Sequence, residues 1–233
     1  MQGRIFKTFY DCASLLIFLL VRYMITVMEK ICLIISGGDY ADIPEEIKKA
    51  SYYIACDRGW QYADKMRITP DLIIGDFDSS PEPEGSVPVM RFPSHKDDTD
   101  TMIAARHALS LGFTDIAICC AFGGRLDHTV ANIQTAAFLV SNGASVRLYG
   151  HDSFAYVFSH GEICLPKMAS CSLSLFSLSD RCTGVSVLGS EYEAGDLTLT
   201  NSFPLGVSNA WASSEARISV DSGILMILCS KIP

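Results

Sequence analysis

Between residues 31 and 149 short apolar runs alternate with amphipathic stretches. Residues 31–35, 52–56, 72–74, 115–121 and 145–149 read as strands, and 59–66, 98–111 and 127–142 as helices, the last two with apolar residues at three- and four-residue spacing. Alternation of this kind predicts a parallel sheet covered by helices. Ligands of such folds bind beyond the carboxyl ends of the strands, which is where Asp57, Asp76 and Gly123-Gly124 fall. After about residue 159 the pattern changes to short β-rich segments, 171–178, 183–188, 197–200, 216–220 and 224–229, broken by Gly, Asn, Ser or Asp. That spacing predicts an antiparallel sandwich or barrel, so the expected division is an α/β domain over 29–158 and an all-β domain over 159–233.

Composition narrows the function classes. A chain of 233 residues with 49% hydrophobic and 19% charged content folds and buries a substantial core. Its net charge of -8 argues against a nucleic-acid surface, which needs clustered Lys and Arg. Phosphate binding must then be local. The nine cysteines form no C-x-x-C pair, and Cys32, Cys56, Cys119, Cys120 and Cys229 lie inside apolar runs. They are expected as reduced core residues of a cytoplasmic protein, with no zinc site. Residues 12–21 form an apolar run behind Arg4 and Lys7, without a small-residue cleavage site and short of the ~20 apolar residues of a membrane span. Residues 1–28 are therefore read as a dispensable upstream extension rather than an anchor.

Three acidic clusters carry the candidate chemistry: Gly75-Asp76-Phe77-Asp78-Ser79, Lys96-Asp97-Asp98-Thr99-Asp100 and Gly123-Gly124-Arg125-Leu126-Asp127-His128. In the first, a buried strand runs into a glycine turn with two carboxylates on the same side if the chain stays extended. In isolation this equally fits a solvated Asx turn. In the second, one helix cap accounts for one Asp, and three acids beside Lys96 exceed what capping needs; Asp100 is the best third carboxylate for a metal. In the third, paired glycines let backbone N–H groups approach an anion at a helix start, with Asp127 as N-cap in the plainer reading and His128 more often structural than catalytic. The spacing is neither a dinucleotide fingerprint nor a P-loop. Asp57-Arg58-Gly59 adds an acid, a forked cation suited to phosphate or a surface ion pair, and a turn glycine. Magnesium takes oxygen ligands, typically one or two carboxylates with substrate phosphates and water, so the clusters read as one Mg2+ and phosphate site.

These motifs in order, with Ala131-Asn132 and the later Gly206-Val207-Ser208-Asn209, resemble those of the thiamine pyrophosphokinase family over roughly residues 31–230. The resemblance implies an N-terminal α/β (Rossmann-like) catalytic domain, a C-terminal β-sandwich, and a homodimer with the thiamine site at the subunit interface. It implies transfer of a pyrophosphoryl group from ATP to the thiamine hydroxyl, releasing AMP, with magnesium on Asp76, Asp78 and Asp100. Asp127 would contact thiamine, and Ser208 and Asn209 would line its pocket from the partner subunit. Lys96 and Arg125 would neutralise developing charge, and Trp211 would offer an aromatic face to the cationic thiazolium. Bacterial members often carry Glu after the Ser-Asn pair, where this chain has Ala210 and then Trp211. The alternatives are another small-molecule kinase or diphosphokinase, and a catalytically silent nucleotide or thiamine sensor.

Overall fold

The structure, a computed structural model, describes residues 30–77, 85–92, 97–168 and 170–232. The expected extension at residues 1–28 lies outside them. Strand β1 (Ile31–Ile35) is followed by a single 3-10 turn (Ile47–Lys49), β2 (Tyr52–Cys56), α1 (Gly59–Met66), β3 (Leu72–Gly75) and β4 (Val89–Arg91). Helix α2 (Asp100–Ser110), β5 (Asp115–Cys119), α3 (Leu126–Ser141) and β6 (Ser145–Tyr149) complete the parallel part. The rest is β: β7 (Ser153–Phe158), β8 (Gly161–Pro166), β9 (Cys171–Ser177), β10 (Arg181–Leu188), β11 (Ala194–Thr200), β12 (Gly206–Asn209), β13 (Glu215–Val220) and β14 (Leu225–Lys231).

The strands form a ten-stranded sheet of order β12-β9-β14-β7-β6-β5-β1-β2-β3-β4 and a four-stranded sheet of order β11-β10-β13-β8. Neighbours from β6 through β4 are parallel, and β6 to β7 is the first antiparallel pair. Strands β1 and β5 are apolar without alternation because both of their faces are covered. Cys32, Ile34, Ile116 and Ile118 pack under Ala104, Ala105 and Ala108 of α2 and Ala136, Leu139 and Val140 of α3. On the other face Leu33, Ile35, Ala117 and Cys119 meet Ala63 and Met66 of α1 and Ile47 of the 3-10 turn. Each such Leu or Ile contributes about 1.5–3 kcal/mol when fully buried.

Helix ends follow from local chemistry. Thr99 caps α2 by accepting from Met102 N at 3.2 Å. Gly112, at φ 83°, and Gly143, at φ 87°, end α2 and α3 in the left-handed conformation. In each case the next residue's N–H reaches back into the last turn, Phe113 N to Ala108 O at 3.2 Å and Ala144 N to Leu139 O at 3.1 Å.

The change of pattern after residue 159 is real, but the sheet runs through it. Strand β7 pairs with β6 on one side and β14 on the other, and β14 pairs in turn with β9. Phe158, Leu173, Leu175, Leu225 and Ile227 of this sheet share one core with Leu165, Val185, Val187, Leu199 and Ile218 of the four-stranded sheet. Strands β4, β7, β8 and β12 were not expected from the sequence. The cysteines of the described residues are free thiols, and Cys32, Cys56, Cys119, Cys120 and Cys229 are buried; burial pushes the Cys32 and Cys229 thiols up to about 12.

Because β7 supplies Phe158 to the C-terminal core and pairs with β14, a fragment of residues 151–233 is expected to unfold cooperatively in urea at higher denaturant than one of residues 159–233. Equal midpoints would contradict this continuity.

Candidate active site

The connections diverge between β1 and β5, which are neighbours although β2 and β6 lie on their outer sides. Such a switch point opens a crevice at the strand ends. Here the two loops are laced together: Ser36 N donates to Cys119 O, Gly38 N to Cys120 O and Asp39 N to Phe122 O, each at 2.9 Å. A side chain at Gly38 would overlap the Cys120 and Phe122 carbonyl oxygens. Beneath the loops Asn132, 4% exposed, donates from Nδ2 to Ala121 O at 2.8 Å and to Ser36 Oγ at 3.3 Å, and Ser36 Oγ lies 3.0 Å from Thr101 Oγ1. This knot ties α3 and α2 to both loops.

The acids gather on the β2 and β3 side. Asp57 follows β2 and donates its N–H to Ile74 O at 2.7 Å, next to Gly75-Asp76 at the end of β3. Cys56 Sγ donates to Asp100 O at 3.6 Å, so the first residue of α2 abuts the end of β2. Asp57, Asp76 and Asp100 are thus brought to one end of neighbouring elements. Asp98 instead pairs with Arg106 at 3.4 Å. Asp78 and Lys96 lie outside the described residues, and among those described no group of three or more His, Cys, Asp or Glu side chains is placed to hold a metal. The donor set still suits magnesium, which uses only one or two protein carboxylates when phosphates complete its shell. Strands β2, β3 and β5 all leave through non-glycine residues at positive φ: Asp57 at 49°, Phe77 at 57° and Cys120 at 53°. Such conformations cost energy and concentrate where function requires a particular loop path.

Gly59 and Arg58 fix α1 to this end. A side chain at Gly59 would overlap the Ile35 carbonyl oxygen. Arg58 Nη2 donates to Gly38 O at 3.2 Å and to the Tyr62 hydroxyl, which itself donates to Gly38 O at 2.9 Å. Arg58 is therefore held against the β1 loop.

Gly123 and Gly124 turn at φ 84° and 64°, and the Asp39 carboxylate packs where a Gly123 side chain would stand. The N-cap of α3 is Arg125, so the plainer reading of Asp127 as a helix cap does not apply. Asp127 instead sits in the first turn, accepting from Arg125 Nε at 3.1 Å, from Arg125 Nη2 at 2.6 Å and from His128 N at 3.0 Å. The Arg125 hydrogen bond holds the exposed Asp127 carboxyl below the usual carboxylate range and raises the guanidinium. This two-pronged pair fixes Arg125 beside the glycines, with further N–H groups of its fork to offer an anion.

Ser208 and Asn209 lie elsewhere. Their strand β12 is at one edge of the ten-stranded sheet and β3 is eight strand positions away, ~38 Å at the usual strand spacing. Ser208 is exposed, at φ 61°. Asn209 holds the chain at 190–192: its Oδ1 accepts from Tyr192 N at 3.0 Å, and its Nδ2 donates to Ser190 Oγ at 3.0 Å and Tyr192 O at 2.9 Å. Trp211 corrects a sequence expectation: it is 5% exposed in the C-terminal core, its Nε1 donating to Leu165 O at 3.4 Å. Its ring faces the core and not a ligand. Sequence reasoning also missed Ser36 and Asp39, although the glycine pair Gly37-Gly38 after the first strand mirrors Gly123-Gly124 after the fifth.

A parallel α/β sheet with a glycine pair and an arginine at its switch point, and carboxylates at the neighbouring strand ends, has the arrangement of α/β folds that bind phosphate groups. Comparison with known proteins specifies it. The thiamin pyrophosphokinase catalytic-domain model matches residues 43–148, and the thiamin pyrophosphokinase vitamin B1 binding-domain model matches residues 162–225. The chain belongs to the thiamin pyrophosphokinase family, and is an enzyme of that type. It is 27% identical over 207 residues to the thiamine pyrophosphokinase of Bacillus subtilis, covering 84% of this chain and 97% of that one. The crystal structure of the Bacillus subtilis enzyme superposes with a TM-score of 0.76 at 26% identity, covering 88% of this chain and 100% of that one. The thiamin pyrophosphokinase of Geobacillus thermodenitrificans (TM-score 0.72, 23% identity, 86% and 97% covered) and that of Candida albicans (0.68, 17%, 87% and 90%) share the fold.

Three outcomes are expected. Replacing Asn132 by Ala leaves the Ala121 carbonyl without this donor and is expected to cost about 1–3 kcal/mol in urea unfolding; an unchanged midpoint would dissolve the knot. Trp211→Ala should cost about 3–5 kcal/mol as a core cavity; full stability with a selective rise in the Michaelis constant for thiamine would restore the stacking reading. In carboxyl-detected NMR Asp127 should titrate below the ordinary value of about 3.9 and return towards it in Arg125→Gln. By linkage its contribution to stability is present above the unfolded value and is lost as pH falls through the folded one.

Proposed function

We propose that the chain transfers the β,γ-pyrophosphoryl group of ATP to the hydroxyl of thiamine, giving thiamine diphosphate and AMP. The observation that carries this reading is the match of both family domains along the chain with glycines and carboxylates gathered at the strand ends of the first. In this reading Gly123-Gly124 and the start of α3 receive phosphate through backbone N–H groups, and Arg125 neutralises its charge. Asp76 and Asp100, with Asp78, hold magnesium, which when bound neutralises phosphate charge. Asp57 and Arg58 line the same end, and Lys96 would add a further cation. The thiamine oxygen forms a bond to the β-phosphorus while the bond from that phosphorus to the bridging oxygen breaks; the oxygen leaves with AMP, and the hydroxyl proton passes to a carboxylate of the cluster. Transfer of this kind asks for alignment and charge neutralisation rather than covalent help.

The separation of β12 from the acids supports a second element of the proposal. A homodimer would let Ser208 of one protomer complete the thiamine site beside Asp127 of its partner, since within one chain β12 lies five strand positions from β5, which leads into α3. The N-terminal residues of the described core carry the nucleotide half and the C-terminal sheet the thiamine half. No described helix is long and apolar enough to cross a membrane, and the reading places the enzyme in the cytoplasm.

A magnesium-dependent assay with ATP and thiamine should release AMP rather than ADP, and Asp76→Asn or Asp100→Asn should lower turnover by about two orders of magnitude or more with stability nearly unchanged. Release of ADP would assign a different kinase, and ATP binding without turnover a sensor. Mixing Asp100→Asn chains with Ser208→Tyr chains should restore activity, because a mixed dimer holds one intact site; no recovery after confirmed subunit exchange would remove the shared site.

A further inference from the structure

The face of the large sheet opposite α2 and α3 has two covers, α1 with the 3-10 turn at one end and the four-stranded sheet at the other. Where they meet, a cleft of about 680 Å³ remains open, within the range of small-molecule sites. Its floor is aromatic. Tyr149 pairs with Phe154, and Arg147 with Tyr156, across the β6–β7 ladder, so the three rings share this face; Phe154 and Tyr156 meet edge to face at 5.7 Å. Leu165, Pro166 and Met168 form an apolar side.

The mouth is acidic. Asp42, Glu46 and Asp152 border the cleft. The cations there, His151 and Lys231, are both engaged by Asp152, at 2.9 and 3.8 Å. Among the described residues Asp42 accepts from the neutral Tyr40 hydroxyl, at 3.0 Å, and neither it nor Glu46 has an ion pair. Burial raises the Tyr149 and Tyr156 phenols, that of Tyr149 to about 12; the nearby Arg147 charge opposes this and the Glu46 charge adds to it. The Arg147 guanidinium on this face is neutralised by its pair with Asp115, so the floor carries no net charge, is electron-rich, and is set beside the Asp42 and Glu46 carboxylates.

We propose that this cleft is a binding site for a small organic cation carrying a flat ring, separate from the carboxylates at the strand ends. Aromatic faces attract cations electrostatically, and nearby carboxylates add to that attraction. A phosphate or carboxylate ligand would meet Asp42 and Glu46 instead. The site also touches the catalytic end from behind: Ala121 N donates to Tyr149 O at 3.0 Å, and Gly150 has no side chain because the Phe122 ring packs there, one residue before Gly123.

The test uses the full chain and benzyltrimethylammonium as probe, with benzoate and benzyl alcohol as the anionic and neutral ring controls, titrated calorimetrically. One site per chain is expected, with the cation bound about tenfold or more tighter than either control. The double variant Asp42→Asn/Glu46→Gln should weaken the probe by about tenfold while leaving turnover with ATP and thiamine unchanged, and Asp100→Asn should leave probe binding intact. Absence of saturable binding, equal binding of benzoate, or indifference to the double variant would overturn the proposal. Displacement of the probe by AMP would instead assign the cleft to the nucleotide, and loss of the probe in Asp100→Asn would assign it to the reaction site; either result also overturns it.

Discussion

The parallel ladder between β1 and β5 does not stop where the strands stop. Three more backbone hydrogen bonds, from Ser36, Gly38 and Asp39 to Cys119, Cys120 and Phe122, carry it into the loops, and the rest of the catalytic end is arranged around that extension. Buried backbone groups must be paired, and here the pairing partner of each loop is the other loop. Gly38 is required because carbonyl oxygens occupy the space of a side chain. Asn132 and the Ser36–Thr101 contact then anchor both helices that begin at the crevice, so the starts of α2 and α3, with Asp100 and Arg125, are set by the same lacing.

Much of the α/β part was legible because its signals are local. Continuous apolar runs at β1 and β5 record burial on both faces, and the Ala104, Ala105 and Ala108 spacing records one buried helix face. Glycines at 112 and 143 mark two helix ends. The strands that escaped notice are short or half exposed. Strand β4 has three residues, β12 is an edge strand of four, and β8 is mostly exposed. Strand β7 follows β6 after three residues, and that close hairpin hides the turn from large parallel sheet to antiparallel continuation.

At the candidate site the acids, the second glycine pair and Asn132 were visible in motifs, whereas Ser36 and Asp39 act through contacts across 65 to 96 positions of chain that no local pattern reports. Trp211 shows the converse error. Standing two residues after Asn209 in a polar stretch, it looked like an open aromatic face, yet the bridge between Ser190 and Trp211 turns it into the core between the sheets. Asn209 is spent in the same way, on the chain at 190–192. What β12 retains for recognition is an exposed edge with Ser208, far along the sheet from the carboxylates.

The account rests on the nucleotide occupying the β1–β5 crevice. Hydrogen exchange read by mass spectrometry with and without α,β-methylene-ATP and magnesium tests this most directly, since bound phosphate covers backbone N–H groups whatever the turnover. The account predicts slowed exchange over 36–41, 97–101 and 121–128, and little change over 206–209 without thiamine. Unchanged exchange in those three segments, with protection confined to the C-terminal strands, would contradict it.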